Sequence, residues 1–233
     1  MKKKILISTG GSGGHVIPAI AFYDHLKEKF DVFFTLDQRG SKFLEKKKYN
    51  IKIIPAPRLT LNLIKLPLNF IMLLASIIIS IFFLKREKID ILIGTGGYMS
   101  VPICIAAKIL NVKIYLFEPN MVLGRANKFL IKFSSKLFCY SKKITNLPLK
   151  EENKLVVIDK ILRKEIYNFS NYNKDKIEDK INLLIIGGSQ GAKIFDENLK
   201  NSILKLSKKY KLFVYHQISS LDSKDLENFY NNN

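Results

Sequence analysis

Three short stretches of this 233-residue chain concentrate backbone that can approach a ligand closely: Gly10-Gly11-Ser12-Gly13-Gly14-His15, Gly94-Thr95-Gly96-Gly97-Tyr98 and Gly187-Gly188-Ser189-Gln190-Gly191-Ala192. Glycine carries no Cβ and adopts positive φ freely, so a bound group can touch main-chain N–H directly. A helix starting behind each turn adds unpaired N–H groups and about half a positive charge, which attracts phosphate oxygens. None of the three is a P-loop, because no Gly-Lys-Ser/Thr follows. None has dinucleotide spacing with an acidic residue at the end of the next strand. The chemistry indicated is binding of a nucleotide or a diphosphate, not of a hydride cofactor. Each turn taken alone serves equally well to join a strand to a helix.

His15 directly follows the first turn. Held beside an anion, an imidazole could accept the proton of a substrate hydroxyl; its plainer role is to donate a hydrogen bond to phosphate or to a loop carbonyl. The three histidines, His15, His25 and His216, stand singly, so no metal site and no cofactor is expected. Cys104 and Cys139 lie in apolar stretches without CxxC spacing and read as reduced core thiols.

The elements that must position these turns repeat one design of strand, glycine turn and helix. The first unit is a strand Lys4–Ser8 and a helix from about Pro18 to Lys29. The second is Asp90–Ile93 with a helix Val101–Leu110, and the third is Asn182–Ile186 with a helix Lys193–Lys208. Further strands are expected at Asp31–Leu36, Ile51–Ile54, Val112–Phe117, Leu137–Tyr140, Leu155–Ile158 and Leu212–His216. Continuous apolar strands alternating with helices indicate an α/β doubly wound parallel sheet, with ligands at its carboxyl edge. The polar run Lys164–Lys180 reads as a linker. It divides a domain at 1–163 from a second at 181–233, where some fifty residues are expected to form only an incomplete domain.

Hydrophobic residues make up 47% of the chain, ample for a core. The 39 basic and 20 acidic residues leave a charge of +19, and only Arg39, Arg58, Arg86, Arg125 and Arg163 among the basic residues are arginine. Much of the excess is what an AT-rich genome writes on a surface as lysine. The remainder favours anionic lipid or phosphate. No aromatic RNA-binding signature or recognition helix appears, so nucleic acid is not an expected partner. The N-terminal apolar run breaks at Gly10 after too few residues for a signal peptide. Leu66–Leu84 contains no charge and has the length of a membrane span. Asn69, Ser76 and Ser80 interrupt it and strands flank it, which favours a helix packed on the sheet with an apolar outer face.

Taken together, GGSGGHVIPAIA (10–21), GTGGYMSVP (94–102), FEPN (117–120) and GGSQGA (187–192) resemble, in order and separation, the MurG family of bacterial UDP-N-acetylglucosamine transferases. The resemblance implies a GT-B-type fold of two Rossmann-like domains, the second incomplete here. It implies inverting transfer of N-acetylglucosamine from UDP-N-acetylglucosamine to lipid I, the undecaprenyl-diphosphate-linked N-acetylmuramoyl pentapeptide, forming lipid II in peptidoglycan synthesis. The expected location is peripheral, on the cytoplasmic face of the plasma membrane against anionic lipid.

By the same resemblance Ser12, Gly13 and Gly14 contact ligand, and His15 is the candidate base or acceptor-positioning group. Gly94, Gly96, Gly97 and Tyr98 help hold the acceptor diphosphate. Asn120 matches the last residue of a Glu-Gln-Asn motif, Ser189 lies beside the donor, and Arg163 stands where the family has a donor-contacting arginine. The sequence departs from the family at Pro119, which replaces glutamine. It departs again at Asp159-Lys160-Ile161, where Gly-Asn-Pro is usual. The family also continues for about a further third of its length. The alternative expectations are an acceptor-binding fragment without catalysis, or one half of a split transferase that needs a complementary C-terminal chain.

Overall fold

Seven strands form a fully parallel sheet in the order β3-β2-β1-β4-β5-β6-β7. The computed structural model describes residues 2–11, 13–44, 49–54, 66–167, 180–187, 191–219 and 224–232. It divides into two compact units, Met1–Ser170 and Asn171–Asn233. The first runs β1 (Lys4–Ser8), α1 (Gly13–Leu26), β2 (Asp31–Leu36), β3 (Ile51–Ile53), α2 (Leu66–Glu87), β4 (Ile91–Gly94), α3 (Ser100–Ile109), β5 (Lys113–Glu118), α4 (Arg125–Leu130), β6 (Lys136–Cys139), β7 (Leu155–Val157) and α5 (Lys164–Tyr167).

Period-two alternation sends successive β1 side chains to opposite faces. Ile5 and Ile7 join Val16, Ile20, Phe22, Phe34 and Phe117 under α1. Leu6 points the other way and joins Leu92, Ile103, Ile114, Leu116 and Leu137 under α3. Both faces are therefore covered, which is why the strands read as unbroken apolar runs. Cys104 sits wholly inside the second cluster, and burial pushes its thiol up to about 12.

The expected first helix begins earlier than Pro18, at Gly13, and Pro18 lies inside it. The proline removes one intrahelical donor, that to the Gly14 carbonyl, and Gly13 and Gly14 bring no side chains to crowd the first turn. Helix α2 is the one helix among the described residues long and apolar enough to cross a membrane by length and composition. It lies against α3, with Ser76 and Ser80 buried on the inner side and Leu68, Phe70, Ile71, Met72, Leu74, Ile78, Ile79 and Phe82 exposed.

The second unit contains β8 (Lys180–Ile185), α6 (Lys193–Asn198), α7 (Lys200–Ser207), β9 (Lys211–His216) and α8 (Lys224–Asn231). Strands β8 and β9 pair in parallel, from Lys180 opposite Lys211 to Ile185 opposite His216. The single helix expected over Lys193–Lys208 is two, parted at Leu199. Asn198 at the break donates its side-chain amide to the Ile194 carbonyl at 2.9 Å, a local bond that competes with helix propagation. Most of the expected linker 164–180 lies outside the described residues; Lys164–Tyr167 of it is helical.

Candidate functional site

In a sheet ordered 3-2-1-4-5, connections leave to opposite sides at the β1–β4 junction, and a crevice opens beyond those strand ends. Ser8 and Gly94 are partners there, so the first and second glycine turns leave the sheet side by side. A Cβ built on Gly97 would stand 3.5 Å from the Gly10 carbonyl and 3.7 Å from the His15 ring. Gly96 has φ +89°, which strains any other residue, and a Cβ there would come within 3.1 Å of His15 Cε1 and crowd the imidazole.

The crevice is an open cavity of about 890 Å³. His15, Gly96, Gly97, Tyr98 and Asn120 line it together with Arg39, Glu118 and Asn127, and Leu73, Val101, Ile105 and Phe129 supply an apolar wall. His15 Nδ1 lies 2.9 Å from the Thr95 carbonyl. A carbonyl only accepts, so Nδ1 carries the proton and Nε2 of the neutral ring presents a free lone pair. Thr95 is itself buried, its hydroxyl donating to the His15 carbonyl at 3.1 Å. The second turn thereby fixes the tautomer of the histidine on the first.

Two carboxylates at strand ends brace the loops. Glu118, 2% exposed at the end of β5, accepts from Asn120 N at 3.2 Å and Asn120 Nδ2 at 2.9 Å on Oε1. Its Oε2 accepts from Gly124 N at 2.9 Å and Asn127 Nδ2 at 3.0 Å. Asn127 Nδ2 also reaches the Phe117 carbonyl at 3.0 Å, and Asn127 Oδ1 is buried with no hydrogen-bond partner among the described residues.

Asp37 stands directly after β2. This corrects the expectation that no acidic residue ends the strand after the first turn. It does not point to a ribose, however, because both its oxygens are engaged. Oδ1 accepts from Gly11 N at 2.9 Å and Gly40 N at 2.8 Å. Oδ2 accepts from the Tyr98 hydroxyl at 2.6 Å and Arg39 Nε at 3.3 Å. Burial works to raise this carboxyl, but the bonds from Tyr98, Gly11 and Gly40, with Arg39 beside it, hold it below the ordinary value. The Tyr98 hydroxyl is pushed up by burial and by its bond to Asp37.

Other expected residues lie elsewhere. Gly13 and Gly14 form the first turn of α1 without lining the cavity. Gly94 is buried, with Leu116 Cδ2 3.1 Å from where its Cβ would be, so its smallness serves packing. Arg163 is not with the others: it lies 4.0 Å from Glu165. Its neighbour Leu162 meets His25 in the last turn of α1 through a 3.0 Å contact of carbonyl and Nε2. That is the end opposite His15, about 15 Å along the helix axis. Ser12 and Ser189 lie outside the described residues. Arg39, Asp37, Glu118 and Asn127 were not singled out from the sequence. The signal available for both carboxylates was an acidic residue closing an apolar strand, DVFFTL before Asp37 and KIYLF before Glu118. Among the described residues no group of three metal-ligating side chains is found.

Comparison with known proteins agrees with this geometry. A UDP-N-acetylglucosamine--N-acetylmuramyl-(pentapeptide) pyrophosphoryl-undecaprenol N-acetylglucosamine transferase of Pelagibacter ubique is 55% identical over 230 residues, covering 99% of this chain and 64% of that protein. Its counterpart in Rickettsia canadensis is 34% identical, covering 98% of this chain and 65% of that protein. The chain thus spans a little under two-thirds of the length of these relatives. The crystal structure of Acinetobacter baumannii MurG superposes with TM-score 0.74 at 24% identity, over 98% of this chain and 64% of that one. A UDP-GlcNAc 2-epimerase of Methanocaldococcus jannaschii superposes with TM-score 0.61 at 17% identity over 98% of this chain, a likeness of fold alone. The α/β fold of GT-B type expected from the motifs stands. Residues 5–139, which hold β1 to β6 and the cavity, match the glycosyltransferase family 28 N-terminal domain, and the chain belongs to that family.

Proposed function

We propose that the chain binds a polyprenyl-diphosphate-linked amino sugar at a membrane surface, as the acceptor side of a transferase that moves N-acetylglucosamine from UDP-N-acetylglucosamine onto lipid I. One observation carries this reading: the cavity reaches α2, the helix with the apolar outer face. Leu73 stands in the wall that also holds His15, Gly96 and Gly97. Beside it on the helix, Phe70, Ile71, Met72 and Leu74 are exposed. A ligand with an anionic head and a long apolar tail fits both parts, the head against the glycine turns and the tail along α2. A free nucleotide would leave the apolar part unused. Lys85, Arg86 and Lys88 at the far end of α2 suit an anionic leaflet, which agrees with peripheral attachment at the cytoplasmic face.

In this reading His15 Nε2 takes the proton of the acceptor's C4 hydroxyl. The oxygen bonds to C1 of the donor sugar as the bond from C1 to the UDP oxygen breaks on the opposite face, which inverts that carbon. Asn127 Oδ1, buried and without a partner among the described residues, suits a hydroxyl or amide N–H of the acceptor sugar. The turn containing Ser189 would serve the donor, together with polypeptide corresponding to the rest of the relatives' length, whether joined to this chain or separate.

The test is binding of the chain to nanodiscs carrying lipid I, set against nanodiscs carrying undecaprenyl phosphate at equal surface charge. Tighter binding to lipid I, weakened when Gly96→Val fills the space beside His15, is the expected result. Equal affinity for the two would sink the assignment of the cavity to a diphosphate-linked sugar.

A further inference from the structure

The two glycine turns offer main-chain N–H to a diphosphate, but N–H dipoles alone do not neutralise its charge, so a fixed cation is needed beside them. Two arginines line the cavity, Arg39 and Arg125. They are held very differently. Arg125 is exposed and makes no ion pair or side-chain hydrogen bond with a described residue. Arg39 is pinned at two points: Nε donates to Asp37 Oδ2 at 3.3 Å, and Nη2 donates to the Tyr98 hydroxyl. That hydroxyl in turn donates to Asp37 Oδ2 at 2.6 Å, so donors and acceptors match around the whole triangle. The guanidinium carbon also lies 5.3 Å from the centre of the Tyr98 ring.

This triangle ties together what the ligand must bridge. Asp37 Oδ1 holds Gly11 N of the first turn at 2.9 Å, and Tyr98 closes the second. A Cβ on Gly11 would stand 3.8 Å from Arg39 Nη2, so the guanidinium lies against the first turn while bonded to the second. The Arg39 side chain is 42% exposed and Asp37's only 9%. The Nη1 hydrogens and the second hydrogen of Nη2 are not committed to Asp37 or Tyr98. A fork with one edge anchored and the other open at a cavity wall is pre-organised for two phosphate oxygens.

We propose that Arg39 supplies the counter-charge to a diphosphate seated between the two glycine turns, and that Asp37 is a positioning residue acting on that diphosphate through Arg39. The inference rests on the cavity reading above and adds to it the group that recognises the charge. Asp37 then does not touch the ligand. Its removal acts by letting the guanidinium swing into water, where a charge–phosphate contact is weakly held.

The experiment is calorimetric titration of the full chain with farnesyl diphosphate and, separately, with inorganic pyrophosphate, on wild type, Arg39→Gln, Asp37→Asn and the double variant. Thermal melting checks that each is folded, and Lys113→Gln, remote from the cavity at the start of β5, controls for net charge. Arg39→Gln is expected to weaken farnesyl diphosphate binding about tenfold to a hundredfold. Asp37→Asn should weaken it several-fold in the wild-type background and not further once Arg39 is gone, the signature of action through a shared partner. If Asp37→Asn does not fold, Tyr98→Phe removes the other anchor and enters the same cycle.

Farnesyl diphosphate binding within twofold of wild type in Arg39→Gln would overturn the inference and leave the cavity reading intact. Additive losses in the double variant would overturn the positioning role of Asp37. A wild type that binds neither probe takes down both the inference and the reading under it. Loss for both probes alike would support Arg39 as the diphosphate contact and assign the tail's share to α2 alone. Unchanged pyrophosphate binding beside weakened farnesyl diphosphate binding would overturn it, since a charge contact cannot depend on the tail.

Discussion

Helices α1 and α2 cover opposite faces of one sheet and both bury apolar side chains against it, yet their outer faces differ. Helix α1 turns Val16, Ala19, Ile20 and Phe22 inward and leaves Gly14, His25 and a single large apolar side chain, Ile17, to solvent. Helix α2 turns Leu73, Ile77, Ile81, Phe83 and Leu84 toward the core together with Ser76, 3% exposed, and Ser80, fully buried, yet it also shows water eight large apolar side chains from Leu68 to Phe82. The inward serines leave no unmet polar group, because each hydroxyl donates to the carbonyl four residues back at 2.7 Å. Their small size lets α2 approach α3 closely. The sheet beneath α1 explains its buried face; nothing in the first unit's core explains the outer face of α2. An apolar surface of that extent on a helix with Lys85 in its last turn suits the membrane contact proposed above.

The strongest way to break this contrast is to make α2 resemble α1. The double variant Ile78→Glu, Phe82→Glu removes two outward side chains whose burial contributes about 1.5–3 kcal/mol each. Vesicle co-sedimentation with anionic lipid should fall roughly a hundredfold, equivalent to about 3 kcal/mol after incomplete insertion. The melting temperature should not fall. Undiminished sedimentation would show that the face is not the membrane contact. A collapse of the fold would show that it is buried in solution, for instance by self-association.

The inner face should respond in the opposite sense. Ser80→Leu introduces bulk where α2 meets α3 and should destabilise the unit by about 1–3 kcal/mol. At about 2–4 °C per kcal/mol for a chain of this size, a thermal melt resolves that. The matched outward change Ile79→Ser should stay within about 0.5 kcal/mol. A neutral Ser80→Leu would mean the two helices are not closely apposed, and the sorting of serines inward would lose its physical reason.

Much of this was readable beforehand, for reasons that single residues make plain. Strand β2 has its expected bounds, Asp31–Leu36, and most other strands shift by a residue or two at an end, because a strand buried on both faces is a continuous apolar run that polar residues delimit. Gly96, Gly97 and His15 meet because turns after β1 and β4 must adjoin when those strands pair. In the sequence Ser76 and Ser80 stand as interruptions of an apolar run, although Asn69, Ser76 and Ser80, at intervals of seven and four, already mark one helix face. Asp37 and Arg39 were missed for a different cause. Their importance lies in bonds to Gly11 and Tyr98, 26 and 61 residues from Asp37, and no local pattern encodes such partners.

The smallest effect separates α1 from α2 by charge. The outer face of α2 from Leu68 to Phe82 contains nothing that titrates, whereas the turn leading into α1 hangs from the Asp37 carboxylate. In the folded chain that carboxyl is held below its ordinary value of 3.8. A depressed folded value means the contribution is complete above the unfolded value and is lost as pH falls through the folded one. In Asp37→Asn the amide oxygen can still accept from Gly11 and Gly40. Its NH₂ then faces Tyr98 and Arg39, both of which need an acceptor. Urea unfolding of the two proteins should therefore differ most at pH 6–7, and the gap should close as acid protonates wild-type Asp37 below about pH 4. Subtracting the variant's pH profile cancels the other carboxylates, which titrate alike in both. Vesicle binding should be the same for both proteins at each pH if α2 carries it, as proposed. A stability gap that stays constant from pH 7 to pH 3 would mean that the carboxylate's charge does not hold the turn. A vesicle affinity that follows Asp37 would mean that the two faces of the sheet are coupled rather than independent.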